Sequence, residues 1–143
     1  MDHLANRTFT NQHITIPRFK DTESLLERKA ECARIRAKYP ERIPVIVERQ
    51  EDGPKETSTS VPSMDRKKFL VPADLTIGQF VYIIRKRIRI APEQAIFVFV
   101  HNTLPTVSST VAQVYDERRD EDGFLYLVYS GERTFGFCDE SKI

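Results

Sequence analysis

Apolar residues recur at helical spacing from Asp21 to Tyr39, with Glu, Arg and Lys at the positions between them. The apolar members are Leu25, Leu26, Ala30, Ala33, Ile35 and Tyr39. Ser24 and Glu27 stand at the spacing of a capping box, in which each side chain accepts a bond from the other residue's backbone N–H. Because Pro40 disfavours helical backbone in the residue before it, the pattern predicts that this helix ends at Tyr39.

A second helical pattern follows residues 72 to 74 and has the strongest start signal in the chain. Thr76 and Gln79 form a T-x-x-Q capping box, and Pro92 sets the far limit of the helix. An apolar stripe on this helix is expected to pack against a sheet, and it consists of Phe80, Ile83, Ile84 and Ile88. A shorter helix is predicted around Val111 to Tyr115.

Four short runs of β-branched, aliphatic and aromatic residues have the length of strands. They are Ile43 to Val47, Lys68 to Val71, Ala95 to Val100 and Phe124 to Tyr129. The third run is apolar at every position, which predicts a central strand buried on both faces. Residues 50 to 64, between the first two strands, are rich in turn formers and are expected to form a solvated loop.

The order of these elements is helix, strand, strand, helix, strand, short helix, strand. Two strands followed by a long helix and a third strand imply a hairpin and then a crossover that returns beside the sheet. This is the β-grasp plan of ubiquitin. The sequence therefore predicts an α+β fold, in which a four-stranded mixed sheet carries a crossover helix and an N-terminal helical extension.

Length and composition fit one soluble domain. The chain has 143 residues, 40% hydrophobic and 30% charged, with a formal net charge of +1. The two cysteines, Cys32 and Cys138, are too far apart for a CxxC or zinc-ligand pair, which makes a secreted disulfide scaffold a poor interpretation. Residues 1 to 20 lack the apolar segment of a secretory signal, so a cytoplasmic protein is expected.

No arrangement of side chains in the sequence is typical of an enzyme. A nucleophile and base formed by Cys32 and His101 is conceivable, but a packed thiol and a solvated imidazole are the default interpretation of these residues. Asp120, Glu121 and Asp122 crowd like charges into a turn, which favours a solvated hairpin end over a calcium site. We therefore expect no catalytic residue, no bound metal and no cofactor.

The positive charge is concentrated between residues 65 and 90, which hold seven basic and two acidic side chains. The densest part is Arg85, Lys86, Arg87 and Arg89. Three interpretations remain open: a solvated helix face, a surface for nucleic acid or acidic lipid, and a site that recognises acidic peptides.

Four quoted segments carry a family resemblance: RIPVI at 42–46, FLVPADLTIGQFVYIIRKRI at 69–88, DGFLY at 122–126 and YSGERTFG at 129–136. In this order they closely resemble the ubiquitin-like autophagy modifiers of the GABARAP and light-chain-3 type. The match runs from about Phe19 to Gly136 and implies two N-terminal helices on a β-grasp core. It also implies a division into an arm at 1–18, the domain at 19–130, a conjugation tail at 131–136 and a propeptide at 137–143.

Members of that family are cut after a glycine and joined to phosphatidylethanolamine. The resemblance places cleavage between Gly136 and Phe137 and conjugation at Gly136. It implies a processing cysteine protease and ubiquitin-like activating and conjugating enzymes as partners, with an autophagosome membrane as the location after lipidation. A glycine suits such a tail on independent grounds, because without a Cβ the backbone can approach an active site closely.

The family also binds peptides, in cargo receptors, that carry an aromatic residue, two intervening residues and an aliphatic one. Such a peptide adds a strand beside the second strand. By resemblance the aromatic pocket comprises Glu31, Ile35, Pro44, Ile46, Lys68, Leu70 and Phe124, and the aliphatic pocket comprises Phe69, Val71, Pro72, Leu75, Phe80 and Ile83. Arg42, Lys68 and Arg87 would meet acidic flanks of the peptide. For Leu75, Phe80 and Ile83, core packing is an alternative role.

Two other functions remain open from the sequence. The first is an unconjugated peptide-binding adaptor in vesicle trafficking or on the cytoskeleton. The second is a nucleic-acid binder that uses residues 85 to 89, although no nucleic-acid partner is expected for this family. The loop at 50–64 and the N-terminal arm are longer than in typical members, and the loop could restrict which peptides dock.

Overall fold

The computed structural model describes residues 17–50 and 61–131. Within them the chain forms four helices and four strands, in the order that the pattern predicts apart from one additional short helix at the start. These are α1 (Phe19–Thr22), α2 (Leu25–Lys38), β1 (Arg42–Arg49), β2 (Lys68–Pro72), α3 (Ile77–Ile88), β3 (Phe97–Phe99), α4 (Val111–Arg118) and β4 (Leu125–Ser130). The predicted α+β class with a ubiquitin-like β-grasp sheet is confirmed.

The four strands form one mixed sheet in the order β2-β1-β4-β3. Strand β1 pairs antiparallel with β2 and parallel with β4, and β3 pairs antiparallel with β4. Helix α3 makes the crossover from β2, at one edge, to β3, at the other. Pro44 can stand in a central strand because it precedes Val45, where the parallel ladder with β4 begins.

The N-terminal helical segment is two helices, as the family resemblance implies, whereas the pattern from Asp21 to Tyr39 alone predicts one. Helix α1 ends at Thr22, and Ser24 then caps α2 through the predicted capping box with Glu27. Ser24 has extended backbone angles, as an N-cap residue requires, so the helix cannot run through it. The predicted box is confirmed, and it is the feature that separates the two helices.

Helix α4 is longer than the predicted Val111 to Tyr115 and runs to Arg118. It begins with a third capping box, between Thr110 and Gln113, in addition to the predicted one between Thr76 and Gln79 at α3. The sequence contains this third T-x-x-Q signal, which identifies the start of the helix but not its end.

The prediction of a central strand at Ala95 to Val100 is wrong. Strand β3 covers only Phe97–Phe99 and lies at the edge of the sheet, beside β4. The apolar run is explained by core contacts beyond the strand, since Ile96, Val98 and Val100 belong to the buried cluster on the α3 side. The true central strands are β1 and β4.

The face of the sheet covered by α3 holds the larger core. Ile77, Phe80, Ile84 and Ile88 are the buried residues of α3. The predicted stripe is therefore wrong at one position, because Ile83 is 41% exposed and Ile77 takes its place in the core. Phe80, at 2% exposure, fills the role of a core residue.

The opposite face is covered by α1 and α2 through a smaller apolar cluster of Phe19, Cys32, Ile46 and Phe124. An ion pair seals this cluster: Arg28 Nη1 on α2 donates to Asp122 Oδ2 at 2.6 Å. The carboxylate of Asp122 also accepts bonds from the Phe124 backbone N–H at 2.8 Å and from the Tyr126 hydroxyl. Both carboxylate oxygens of Asp122 therefore accept hydrogen bonds, as a buried charge requires.

The expectation that residues 120 to 122 form a solvated hairpin end is wrong for Asp122, which is only 2% exposed. Glu121, by contrast, is exposed. The physical reason is the partner on α2, because the guanidinium of Arg28 compensates the loss of water around the carboxylate.

Replacing Arg28 with Met should lower the free energy of unfolding by about 3–5 kcal/mol, because it leaves the Asp122 carboxylate buried without its cation. Urea unfolding followed by circular dichroism measures this. The control is Arg34→Met on the exposed side of the same helix, which should change stability by less than about 0.5 kcal/mol. Equal stability of the two variants would contradict the role assigned to the ion pair.

Candidate functional site

Strand β2 forms one edge of the sheet, and its register against β1 decides which residues face each helix. Pro44 pairs with Leu70 and Ile46 pairs with Lys68. Because Ile46 belongs to the cluster under α1 and α2, these four residues stand on the α2 face. The alternate residues Phe69 and Val71 pack instead with the core under α3. The two predicted pockets therefore lie on opposite faces of one edge strand.

On the α2 face the structure brings together the residues of the predicted aromatic pocket. Ile35 and Phe124 pack in the same cluster as Ile46. Lys68 Nζ bonds to Glu31 Oε1 at 2.5 Å, which ties β2 to α2. The predicted aromatic pocket therefore has an apolar floor, with the cation of Lys68 and the carboxylate of Glu31 at its rim.

Phe19 belongs to this site and was missed by the sequence analysis. It is buried, its ring meets that of Phe124 edge-on at 5.5 Å, and the ammonium group of Lys68 lies 5.0 Å from its centroid. Its burial depends on contacts with residues more than a hundred positions away, which no local pattern reveals. The one available signal in the sequence was that Phe19 is an aromatic residue two positions before Asp21, where the predicted helical pattern begins.

On the α3 face the predicted aliphatic pocket is partly occupied by the core. Val71 and Phe80 are buried, and Phe69 meets Phe80 edge-on at 5.9 Å. Leu75 and Ile83 instead open onto a groove of about 540 Å³. The remaining lining residues of the groove are Thr76, Gly78, Gln79, Tyr82, Val107 and Ser108. The six predicted residues therefore fall into three groups. Phe69, Val71 and Phe80 pack at the core, Leu75 and Ile83 line the open groove, and Pro72 is exposed.

The three predicted acidic-flank cations lie along β2, and each already has a partner. Lys68 contacts Glu31 and is 3.9 Å from Glu23. Arg42 donates to the Leu70 carbonyl at 3.3 Å. The guanidinium of Arg87 is 3.9 Å from Asp65 and lies over the ring of Phe69 at 5.7 Å. An acidic peptide must therefore replace a carboxylate at Lys68 and at Arg87, and a backbone carbonyl at Arg42, rather than meet unpaired charges.

Electrostatics around Lys68 favour that exchange. The pKa of Glu23 is raised by desolvation and by the hydrogen bond and negative charge of Glu31, although Lys68 acts in the opposite direction. The carboxylates of Glu23 and Glu31 share the single ammonium group of Lys68. Each carboxylate is attracted to Lys68 but is also repelled by the other carboxylate.

The Cys32 and His101 alternative has no support in the geometry. Cys32 is buried, and desolvation, followed by the charge of Asp122, raises the pKa of its thiol to about 11, so little thiolate forms near neutral pH. His101 is exposed, in a turn where its φ is 48°. Gly136, Phe137 and residues 1–16 of the predicted arm lie outside the described residues, and Pro17 and Arg18 are the described remainder of that arm.

Helix α1 lies beside the predicted aromatic pocket and is held by polar bonds. The Phe19 N–H donates to Glu48 Oε2 at 3.0 Å, and Lys67 Nζ donates to the same oxygen at 3.2 Å. On its other side, Lys20 Nζ pairs with Asp120 Oδ1 at 2.5 Å. Two ion pairs and a backbone bond therefore fix the position of Phe19.

Comparisons with known proteins agree with this geometry. The family model described as "Autophagy protein Atg8 ubiquitin like" matches residues 27–136. The chain belongs to the Atg8 family. The resemblance to ubiquitin-like autophagy modifiers is thereby confirmed, and with it the ubiquitin-like and autophagy assignment.

Two plant relatives match most of the Atg8-family chain. "Autophagy-related protein 8d" of Arabidopsis thaliana is 58% identical over 123 residues, which cover 86% of this chain and 98% of that protein. "Autophagy-related protein 8A" of Oryza sativa subsp. indica is 60% identical over 118 residues, 82% of this chain and 94% of that protein.

Two solved structures share the fold. Trypanosoma brucei ATG8 superimposes with a TM-score of 0.73 at 39% identity, covering 85% of this chain and 100% of that one. Plasmodium falciparum Atg8, solved in complex with a peptide of P. falciparum Atg3, has a TM-score of 0.72 at 36% identity, covering 82% and 98%. Within the described parts of the present chain, no helix has both the length and the apolar character needed to cross a bilayer.

The ion pair of Lys20 and Asp120 should make the docking of α1 sensitive to acid. Partial burial acts to raise the pKa of Asp120, but the hydrogen bonds from Lys20 and the Asp122 backbone, with the charges of Lys20 and Arg28, lower it below the ordinary 3.8. A carboxylate with a lowered pKa adds stability above pH 3.8 and loses it as the pH falls further.

We therefore expect Lys20→Gln to reduce the free energy of unfolding by about 0.5–1 kcal/mol at neutral pH, since Lys20 is half-exposed and its charge is screened. The difference from the unaltered chain should shrink below pH 3.8, where Asp120 takes up a proton. Urea titrations across this range measure it, with the exposed Lys29→Gln as the control. A difference that stays constant down to pH 2 would be incompatible with this assignment.

Proposed function

We propose that this Atg8-family chain is a ubiquitin-like modifier that is cleaved after Gly136, conjugated to phosphatidylethanolamine and used in autophagosome formation to recruit cargo receptors through aromatic-x-x-aliphatic peptides. Two parts of this proposal rest on different observations. Peptide binding rests on the edge strand β2 and the pockets on its two faces. Conjugation rests on the sequence of the C-terminal tail and on family membership.

The observation that carries the peptide proposal is the alternation of side chains at β2. Lys68 and Leu70 face α2, whereas Phe69 and Val71 face α3. A peptide strand added at this edge alternates in the same way, so its side chains reach both pockets only when they are an odd number of residues apart. An aromatic residue and an aliphatic residue three positions later meet this condition and lie about 10 Å apart along the strand.

The expected affinity is moderate. Burying a peptide aromatic of about 200 Å² contributes roughly 5 kcal/mol at about 25 cal/mol per Å². Ordering the peptide and restricting its translation remove much of this gain, so dissociation constants of order micromolar follow. Acidic flanking residues would add salt-dependent attraction through Arg42, Lys68 and Arg87.

Moving the aliphatic residue by one position should therefore separate this mode from nonspecific contact. Peptides of identical composition with the aliphatic residue two or four positions after the aromatic one place both side chains on the same face. Each should bind about 10- to 100-fold more weakly than the three-position peptide, because one side chain worth roughly 1.5–3 kcal/mol loses its pocket. Isothermal titration calorimetry measures the three affinities.

A Leu70→Ala variant provides the matched control on the protein. This substitution removes side-chain contacts on the α2 face only. It should therefore lower the affinity for the aromatic-x-x-aliphatic peptide, while the ratio of the affinities of the two shifted peptides stays unchanged. Equal affinity for all three spacings would show that the peptide does not add to β2 as a strand.

The conjugation proposal concerns the segment that follows β4. This strand ends at Ser130, and the described residues end at Gly131, five positions before Gly136. The Plasmodium relative is solved with an Atg3 peptide, and an equivalent conjugating-enzyme partner is proposed for this chain. Lipidation would place the protein on autophagosome membranes, and the two acyl chains of the lipid would give a stable anchor.

Intact mass spectrometry of the protein from starved cells tests this part. The unaltered chain should lose residues 137 to 143 and gain the mass of one phosphatidylethanolamine, whereas Gly136→Ala should keep its full length. Gly131→Ala is the control and should be processed normally. If Gly136→Ala is still cleaved and lipidated, the assignment of Gly136 as the conjugation site is wrong. If the unaltered chain keeps its C-terminus and gains no lipid, an unconjugated adaptor becomes the better interpretation.

A further inference from the structure

The ends of several elements meet where the C-terminal tail leaves the domain. Strands β1 and β4 run parallel and finish together, with Arg49 beside Tyr129, and β3 begins here because Phe97 pairs with Ser130. Helix α3 ends on the same side, since Arg87 in its last turn is 3.9 Å from Asp65, just before β2. We call this the exit end of the fold.

Among the residues that the structure describes, four exposed basic side chains lie at the exit end. They are Arg66, before β2, and Lys86, Arg87 and Arg89, at the end of α3. Among the acidic residues described there, Glu48 is buried against Lys67, Asp65 faces Arg87, and Glu93 is exposed. The opposite end, where β4 begins, holds five acidic and two basic residues between positions 116 and 122.

Arg85 is not part of this surface, although it belongs to the same basic run. Its guanidinium donates to the carbonyls of Gln94, Pro92 and Ala91 and so fixes the turn between α3 and β3. That turn holds the end of α3 in place. The neighbouring Lys86 and Arg89 are exposed on a rigid support, as an electrostatic docking surface requires.

The length of the tail limits how far the exit end can be from an attached lipid. Gly136 lies five positions after Gly131, and a fully extended chain spans at most about 3.6 Å per residue, or about 18 Å in total. Because this is the upper limit, a membrane surface that holds Gly136 can come within one Debye length, about 8 Å, of the exit end. Within that distance an anionic surface attracts Lys and Arg.

We propose that the exit end, through Arg66, Lys86 and Arg89, is a docking surface for the anionic lipid headgroups of the membrane to which the tail is joined. The inference rests on the proposed conjugation at Gly136 and adds a preference for anionic lipid to it. Docking turns the acidic end away from the membrane and leaves the β2 edge at the side, open to a peptide.

The full chain provides its own chemical tether for the experiment, because Cys138 lies two residues beyond Gly136. Coupling to maleimide lipid should occur there, since Cys32 is buried and its thiol pKa is raised to about 11 by desolvation and the charge of Asp122. Cys138→Ser checks that specificity. The coupling needs neither cleavage nor enzymes, so failure of this test and failure of the Gly136→Ala test are distinct results.

The readout is the acylation rate of individual lysines, measured by mass spectrometry on coupled vesicles of phosphatidylcholine with and without phosphatidylserine. Lys86 should react about fivefold more slowly when phosphatidylserine is present, which corresponds to the roughly 1 kcal/mol of one basic residue at an anionic surface. Lys29, on the exposed side of α2, should react equally on both vesicles, and high salt should abolish the difference.

Arg66→Gln/Arg89→Gln should remove most of the protection of Lys86, whereas Arg34→Gln/Lys38→Gln, which removes the same charge from α2, should preserve it. Equal rates for Lys86 on the two vesicles, or equal slowing of Lys29, would overturn the proposal. Protection of Lys86 by a single-stranded RNA oligonucleotide, without protection by phosphatidylserine, would also overturn it and assign these residues to nucleic acid.

Discussion

The register of β2 against β1 decides what the edge of this sheet can bind. Ile46 opposite Lys68 and Pro44 opposite Leu70 place two side chains of the edge strand under α2, and the alternate two then face α3. A slip by one residue would exchange the faces of all of them, moving Lys68 into the core under α3. That exchange is prevented because Val71 is already buried there and because Lys68 contacts Glu31 on α2.

The two faces of the sheet differ in the interactions that hold the helices against them. Under α3 a large apolar core fixes the floor, and the groove beside Leu75 and Ile83 lies at its margin. Under α1 and α2 the apolar cluster is small, so buried polar bonds fix the helices instead. Arg28 with Asp122 holds α2, and Glu48 with the Phe19 N–H holds α1. The wall of the predicted aromatic pocket thus depends on polar contacts, whereas the floor of the predicted aliphatic pocket depends on packing.

Local sequence signals predicted the elements well, and contacts between distant residues account for most of the errors. The capping boxes at Ser24 and Thr76 mark helix starts because both partners lie within one turn. Arg28 and Asp122 are 94 positions apart, so their pairing, and hence the burial of an aspartate in a charged turn, has no local signature. The edge position of β3 was missed for a related reason, since an all-apolar run reports burial but not strand order.

The central claim is that a peptide adds to β2 and places its aromatic and aliphatic side chains on opposite faces of the sheet. Isotope-filtered NMR on the complex with an aromatic-x-x-aliphatic peptide tests it most directly. Intermolecular NOEs from the peptide aromatic ring to Ile46 and Phe124, together with NOEs from its aliphatic side chain to Leu75 and Ile83, are the predicted result. NOEs from both side chains to one face, or to β3 at the other edge, would contradict the account.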